Sequence, residues 1–387
     1  MNSFFRILSI IIVFSMLLAF AACKKETEYF SYIEESEIIY SSEESSATED
    51  DKDVAVKDDK KEDNTTKNDS TSSKPQSKPN QSTSSVNSEI KEESTDENYY
   101  AYTVTNNNAK ITGVDKSIKG DIIIPSTLGG YTVTEIGEEA FKECNLIKSV
   151  IIPNSITNIN SNAFNKCLSL TNVTLPNSLK IIGKGAFSGC SSLMSITIPD
   201  GVTSIGDNAF SNCTALSSVS IPNSVNTIGC AAFGGCTSLD NVTVPNSVTS
   251  IESYAFYSCT SLVNIKIPNS VTSIGHYAFY NCTALSSVSI PNSVTRIDRF
   301  AFGGCTSLTN ITIPDSVTSI GDHAFSGCIA LKSVSVPNGV TSVSYDDYFR
   351  GCNNLLDIYY NGTEEEFKQK NWDKVVSSKC TIHYNSN

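Results

Sequence analysis

The chain has 387 residues and a formal net charge of −13, but the acidity is local: residues 24–98 hold 21 Asp and Glu against 10 Lys. Beyond residue 98, 17 Lys and Arg face 20 Asp and Glu. This near-neutral remainder offers no basic face, which excludes the electrostatic footprint of a nucleic-acid-binding protein. Such uneven composition also makes length a poor guide to domain number, so the segments are taken in chain order.

Arg6, an apolar run over residues 7–20 and the small residues Ala21 and Ala22 have the anatomy of a secretory signal over residues 1–22. The run is shorter than the ~20 residues a spanning helix needs, which favours a processed signal over a permanent span. Phe20-Ala21-Ala22-Cys23 resembles the lipobox of bacterial lipoproteins, with Phe20 where Leu is usual. The resemblance implies lipidation of Cys23 and an anchor of two or three acyl chains, each buried methylene contributing roughly 0.8 kcal/mol. The plainer alternative is a soluble secreted protein with a chance Cys at the cleavage site. Residues 23–98 then comprise the lipidated Cys and an acidic tether rich in Ser, Thr and Lys. This stretch has too little apolar area to offset the entropy of ordering. As a flexible coil it reaches roughly 45–50 Å from the membrane. Tyr29, Phe30, Tyr32, Ile33, Ile38, Ile39 and Tyr40 interrupt the tether and have no assigned role.

Residues 99–137 read as an N-terminal cap and first coil. Tyr100, Tyr102 and Val104 alternate, Asn106-Asn107-Asn108 can turn, and Ile111 returns, which is a hairpin pattern. From residue 138 to 358 one unit recurs. Phe stands at 141, 164, 187, 210, 233, 256, 279, 302 and 325, each 23 residues after the last, with Ala before it and Cys three residues after it. A tenth copy, Tyr348-Phe349-Arg350-Gly351-Cys352, comes one residue late. In one unit Ile265 and Ile267 alternate with Asn264 and Lys266, the period-two mark of a half-buried strand. Pro268 cannot donate to a ladder and ends that strand. Val271 and Ile274 turn back inward, Gly275 permits a bend, and Ala278-Phe279 fills the centre. A single unit cannot bury both faces, so the repeat requires stacking of identical coils. In residues 359–387, Thr363 and Glu366 have capping-box spacing for a helix through Phe367, Trp372 and Val375, followed by a last strand from Cys380 to Tyr384. The two flanks would cover edges that otherwise invite aggregation.

Leu-x-x-Val-x-Ile-Pro, Val-x-x-Ile-Gly and Ala-Phe-x-x-Cys in nine in-register copies resemble the BspA-like leucine-rich-repeat family of bacterial surface proteins. The resemblance covers nearly the whole folded part. It implies a β-rich leucine-rich-repeat solenoid of about ten 23-residue coils with an N-terminal hairpin cap and a C-terminal helix and strand cap. It also implies export and a role in attachment, without naming a ligand.

Thirteen Cys in an exported chain first raise the question of disulfides. Ten of them fall in one column, however, where neighbouring β-carbons stay near the ~4.8 Å coil spacing, wider than the ~3.8 Å a disulfide prefers. A buried thiol ladder is therefore expected. Cys230 and Cys380 stand off the column and are left open. A column of thiols does not converge on a metal, and no cofactor is expected. His276, His323 and His383 are the only His residues, and no His-Glu-x-x-His or Gly-x-Ser-x-Gly pattern is present, so the chain is not expected to be an enzyme. His276 and His323 read as residues of exposed turns, and Asp346-Asp347 as a solvated loop.

Two columns remain as contact candidates. Thr174, Thr197, Ser220, Thr243, Lys266, Ser289, Thr312 and Ser335 form an exposed strand column. Hydroxyls of this kind solvate a sheet, and they also suit hydrogen bonding to a glycan or an extended peptide. The position before Ala-Phe becomes Tyr254, Tyr277 and Phe300 in three successive copies, with Tyr257, Tyr280, Arg296 and Arg299 in the same coils. Aromatics with Arg are enriched at interaction hot spots, so these seven residues are the candidate ligand contact. The sequence reads best as an exported, lipid-anchored surface protein that binds a protein or glycan on host, matrix or other cells. A structural envelope protein that self-associates or binds cell wall is the alternative.

Overall fold

The computed structural model describes residues 94–340 and 348–385, so the signal, Cys23, the tether cluster and Asp346-Asp347 lie outside the described residues. The described residues form a β-solenoid of about 12 coils with little helix. The additional coils come from the flanks, which continue the stack as well as covering it.

The central coils begin with a three-residue strand such as Asn264–Lys266, in which Asn264 and Lys266 are exposed and Ile265 is buried. It pairs in parallel with the coils before and after it, Thr243 against Lys266 and Lys266 against Ser289. Pro268 closes it, and the next Ser anchors the corner. Ser270 Oγ donates to the Val248 carbonyl (2.6 Å) and Ser293 Oγ to that of Val271 (2.7 Å), which accounts for the recurring Pro-Asn-Ser. A second strand of two residues follows, Ser273–Ile274, pairing Ser273 with both Ser250 and Arg296. Sequence pattern placed Ile274 inside but did not resolve this ladder, because two residues show no alternation. The third side is bonded from coil to coil as well: the N–H of Phe256 donates to Ala278 O (2.9 Å) and that of Phe279 to Ala301 O (2.8 Å). All three sides of a coil thus satisfy their backbone groups against neighbours, which is why no coil stands alone.

The centre is a column of rings. Phe141 through Phe349 stack with centroids 4.7 to 5.8 Å apart. The expected thiol ladder is present: Cys144 to Cys352 are buried and free. Its bonding was not foreseen, since the thiols donate to backbone rather than to one another. Cys259 Sγ lies 3.2 Å from Phe233 O and Cys282 Sγ 3.2 Å from Phe256 O, a pattern that runs from Cys167 to Cys352. Each thiol satisfies the carbonyl of the ring residue one coil back.

At the front, strands Tyr100–Thr105 and Asn108–Val114 form the antiparallel hairpin, turning through Asn106 (φ 51°) and Asn107 (φ 62°). Residues 94–98, assigned from composition to the tether, belong to the folded unit. Thr95 N–H donates to Ile123 O (2.9 Å), and Thr95 Oγ1 accepts from Ile123 N–H (2.9 Å). At the back, the Thr363/Glu366 capping box opens a helix over Glu364–Gln369. That helix does not run on through Trp372: Asn371 takes the left-handed region (φ 62°) and a second short helix, Trp372–Val375, begins there. Thr381–Tyr384 then adds the last strand. Among the described residues no helix is long and apolar enough to cross a membrane.

Candidate interaction surface

The position before Ala-Phe takes a left-handed backbone in successive coils: Asn162 (φ 56°), Gly185 (60°), Asn208 (54°), Ala231 (52°), Tyr254 (60°), Tyr277 (55°), Phe300 (53°) and His323 (55°). Asn and Gly tolerate this region, whereas a bulky ring residue there is held against a local preference of about 1–3 kcal/mol. The surroundings fix it. The N–H groups of Tyr254, Tyr277 and Phe300 donate to His276, Arg299 and Asp322 carbonyls of the next coil at 2.8, 3.0 and 3.0 Å. The rings stack, Tyr254 on Tyr277 and Tyr277 on Phe300, both at 5.0 Å. His323, expected on an exposed turn, is instead the fourth ring, 4.8 Å from Phe300.

Six of the seven sequence candidates, Tyr254, Tyr257, Tyr277, Tyr280, Phe300 and Arg299, are therefore joined by ring and cation contacts, while Arg296 contacts Asp298, and not all are equally accessible. Tyr277 and Phe300 are only 6% and 5% exposed, since each ring lies between its neighbours, and they support the strip rather than forming its face. Tyr254, Tyr257, Tyr280 and Arg299 are half-buried and Arg296 is exposed. Tyr257 and Tyr280 form the second column (5.6 Å), and Tyr280 meets Tyr277 and Phe300 edge-on at 5.4 and 5.8 Å. Gly303 makes room for that contact, because a β-carbon there would stand 2.9 Å from Tyr280 Cδ2. Arg299 lies over the Phe300 ring at 5.2 Å, and Arg296 pairs with Asp298 at 3.2 Å. The strip is thus an aromatic corner with one exposed cation, suited to burying apolar or aromatic groups of a partner.

On the first-strand side, the Thr/Ser column is exposed from Thr174 to Thr312 and half-buried at Ser335. It does not end there. Ser335 pairs with Tyr359, and Tyr359 with His383, so two rings replace hydroxyls in the last coils. Tyr359 was missed in the sequence because these steps are 24 residues, one more than the repeat.

The interior is chemically quiet. Burial pushes the Cys236 and Cys282 thiols up to about 12, so they stay protonated and unreactive near neutral pH. Cys380 is a half-buried free thiol whose Sγ donates to Leu355 O (3.3 Å). Among the described residues no group of three or more His, Cys, Asp or Glu is placed to hold a metal.

Stacked parallel coils, a ring column and short strands at a 23-residue interval define a leucine-rich-repeat solenoid. The family described as BspA type leucine rich repeat region matches residues 121–240 and 228–356 in 6 copies, and the chain belongs to that family. Among solved structures, a leucine rich cell surface protein from Faecalibacterium prausnitzii is 30% identical, covering 72% of this chain and 97% of that one, with a TM-score of 0.35. A leucine-rich repeat protein from Bacteroides ovatus is 24% identical over 74% of this chain and 98% of its own, with a TM-score of 0.37. The pneumococcal vaccine antigen PcpA is 20% identical over 75% and 98%, with a TM-score of 0.39. A search of curated proteins found no match.

Proposed function

We propose that this chain is an exported surface protein, lipid-anchored through Cys23 and raised on its acidic tether, whose solenoid attaches to a protein or glycan partner through the aromatic corner. The carrying observation is that four successive coils place stacked rings at a left-handed position where the earlier coils carry the non-aromatic Glu139, Asn162, Gly185, Asn208 and Ala231. A feature held against local preference, and confined to neighbouring coils, is better explained by contact with a partner than by the fold's own needs.

The relatives support the general role: one solved structure is of a cell surface protein and another of a vaccine antigen. No catalytic role is assigned, because the solenoid interior is closed by rings and protonated thiols.

The test uses residues that other coils already carry. Ser occupies the Tyr257 and Tyr280 position at Ser188 and Ser211, and the Arg296 position at Ser273 and Ser319. Cells displaying the full chain with Tyr257→Ser, Tyr280→Ser and Arg296→Ser should lose saturable binding to a panel of matrix proteins and mucin that the wild type retains. Unchanged binding would discard the strip. Metabolic labelling with a fatty-acid probe tests the anchor separately, since label persisting in Cys23→Ser refutes lipidation at that residue.

A further inference from the structure

A groove of about 630 Å³ lies on the first-strand side over the last coils, remote in the fold's cross-section from the aromatic corner, which sits beyond the second ladder. Its floor is the hydroxyl column, with Ser289 and Thr312 exposed and Ser335 half-buried. Asn292, Asp315 and Asn361 provide further polar lining, with Asn361 Nδ2 donating to Asp315 Oδ1 at 2.7 Å. One end is walled by Tyr359, which is 49% exposed.

That tyrosine is held as a platform. Its ring is stacked on His383 at 4.6 Å and 13°, and His383 Nε2 lies 2.8 Å from Asp357 Oδ1. With one face against His383, the opposite face is turned along the stack toward Ser335, its register partner on the other side. Ser335 is too small to cover it, so a flat apolar surface faces a floor of hydroxyls. In the earlier coils the same column holds Ile123 and Ile151 and then Thr, Ser or Lys from Thr174 to Ser335, and no ring stands there.

We propose that this groove binds a neutral glycan chain, one sugar ring laying its C–H face on Tyr359 while its hydroxyls bond to the Thr312, Asn361 and Asp315 side chains. Three features select that class. The volume falls in the range of about 300–1,000 Å³ that holds small ligands. None of the lining residues is Lys or Arg, so nothing attracts a phosphate, sulfate or other anionic chain. An extended peptide is recognised by a free strand edge or by apolar pockets for alternate side chains, whereas this floor is the face of a paired sheet and presents hydroxyls.

Cellohexaose and chitohexaose are the probes, titrated calorimetrically into the full chain. The site predicts saturable binding of at least one hexaose, weakened roughly tenfold in Tyr359→Ala and kept in Tyr359→Phe, which retains the ring face. A far-UV circular dichroism melt of Tyr359→Ala checks that the coil persists, and Thr312→Val, which keeps the side-chain shape but removes the hydroxyl, supplies a second variant expected to weaken the hexaose. Binding of neither hexaose overturns the proposal, as does wild-type affinity in both Tyr359→Ala and Thr312→Val. Tighter binding of a heparin hexasaccharide, or of a Ser/Thr-rich decapeptide, than of either neutral hexaose also overturns it. The Tyr257→Ser, Tyr280→Ser, Arg296→Ser chain should bind the hexaose as the wild type does, so failure of the corner and failure of the groove are distinguishable.

Discussion

Two ladders of rings run along this solenoid, and they differ in what holds them. The Phe ladder occupies every coil from Phe141 to Phe349, is buried throughout, and sits on ordinary backbone bonded to the next coil. The Tyr254–Tyr277–Phe300–His323 ladder has similar spacing but occupies four coils and sits on left-handed backbone. An uninterrupted column serves the stack itself. An interrupted one, on backbone that resists it, supports the proposed contact with a partner.

The comparison breaks most visibly at the Phe ladder. Phe256→Ala should destabilise by about 3–5 kcal/mol through lost burial and a cavity between two rings, measured as the urea midpoint at constant slope. Phe349→Ala, at the 8%-exposed end of the column, should cost clearly less. Equal losses at the two positions would contradict a closed central column.

Alkaline pH tests the thiols that line the same interior. Cys236 and Cys282 are raised from 9.0 to about 12, so above pH 9 the unfolded chain releases protons that the folded chain keeps. Stability is therefore fully present below pH 9 and falls as pH rises toward 12. The urea midpoint should drop steadily between pH 9 and pH 11, and iodoacetamide at pH 8 should spare Cys167 to Cys352 until urea unfolds the chain. A flat profile above pH 9 would mean that the thiols are not sequestered.

Smaller effects belong to the second ladder. Gly303→Ala sets a β-carbon against Tyr280 and Phe300, and should cost about 1–2 kcal/mol while shifting the near-ultraviolet tyrosine signal. Smallest of all, Tyr257→Ser with Tyr280→Ser should change stability by less than about 1.5 kcal/mol in the same titration, because both rings are half-buried and other coils carry Ser there.

The repeat, the inward Ile and Val positions, the Phe column, the front hairpin and the Thr363/Glu366 capping box were legible in sequence because each leaves a one-dimensional period or a capping pattern. Other features were not. The Ser273–Ile274 ladder is too short to alternate, and the Cys–carbonyl bonds join residues 26 apart, a pairing visible only once coils are stacked. At the corner the rings were found but their accessibility was misjudged: Tyr277 and Phe300 lie between neighbours. A signal was present, since Asn162, Gly185 and Asn208 at the same position mark a left-handed site and so distinguish the rings that follow as strained. Tyr359 and His383 escaped because a one-residue insertion shifts them out of the 23-residue column. His323 does lie on a turn as read, but it is half-buried rather than exposed, because its stacking partner Phe300 is one coil away.

The central claim is that residues 23 apart are lateral neighbours at one strand spacing. Oxime-linked nitroxides at Thr174 and Lys266, four coils apart, and at Thr174 and Thr312, six coils apart, measure it by pulsed electron–electron resonance. At the ~4.8 Å strand spacing the account predicts backbone separations of about 19 and about 29 Å, so the second distance should exceed the first by roughly 10 Å. Distances that fail to grow with the number of intervening coils would contradict it.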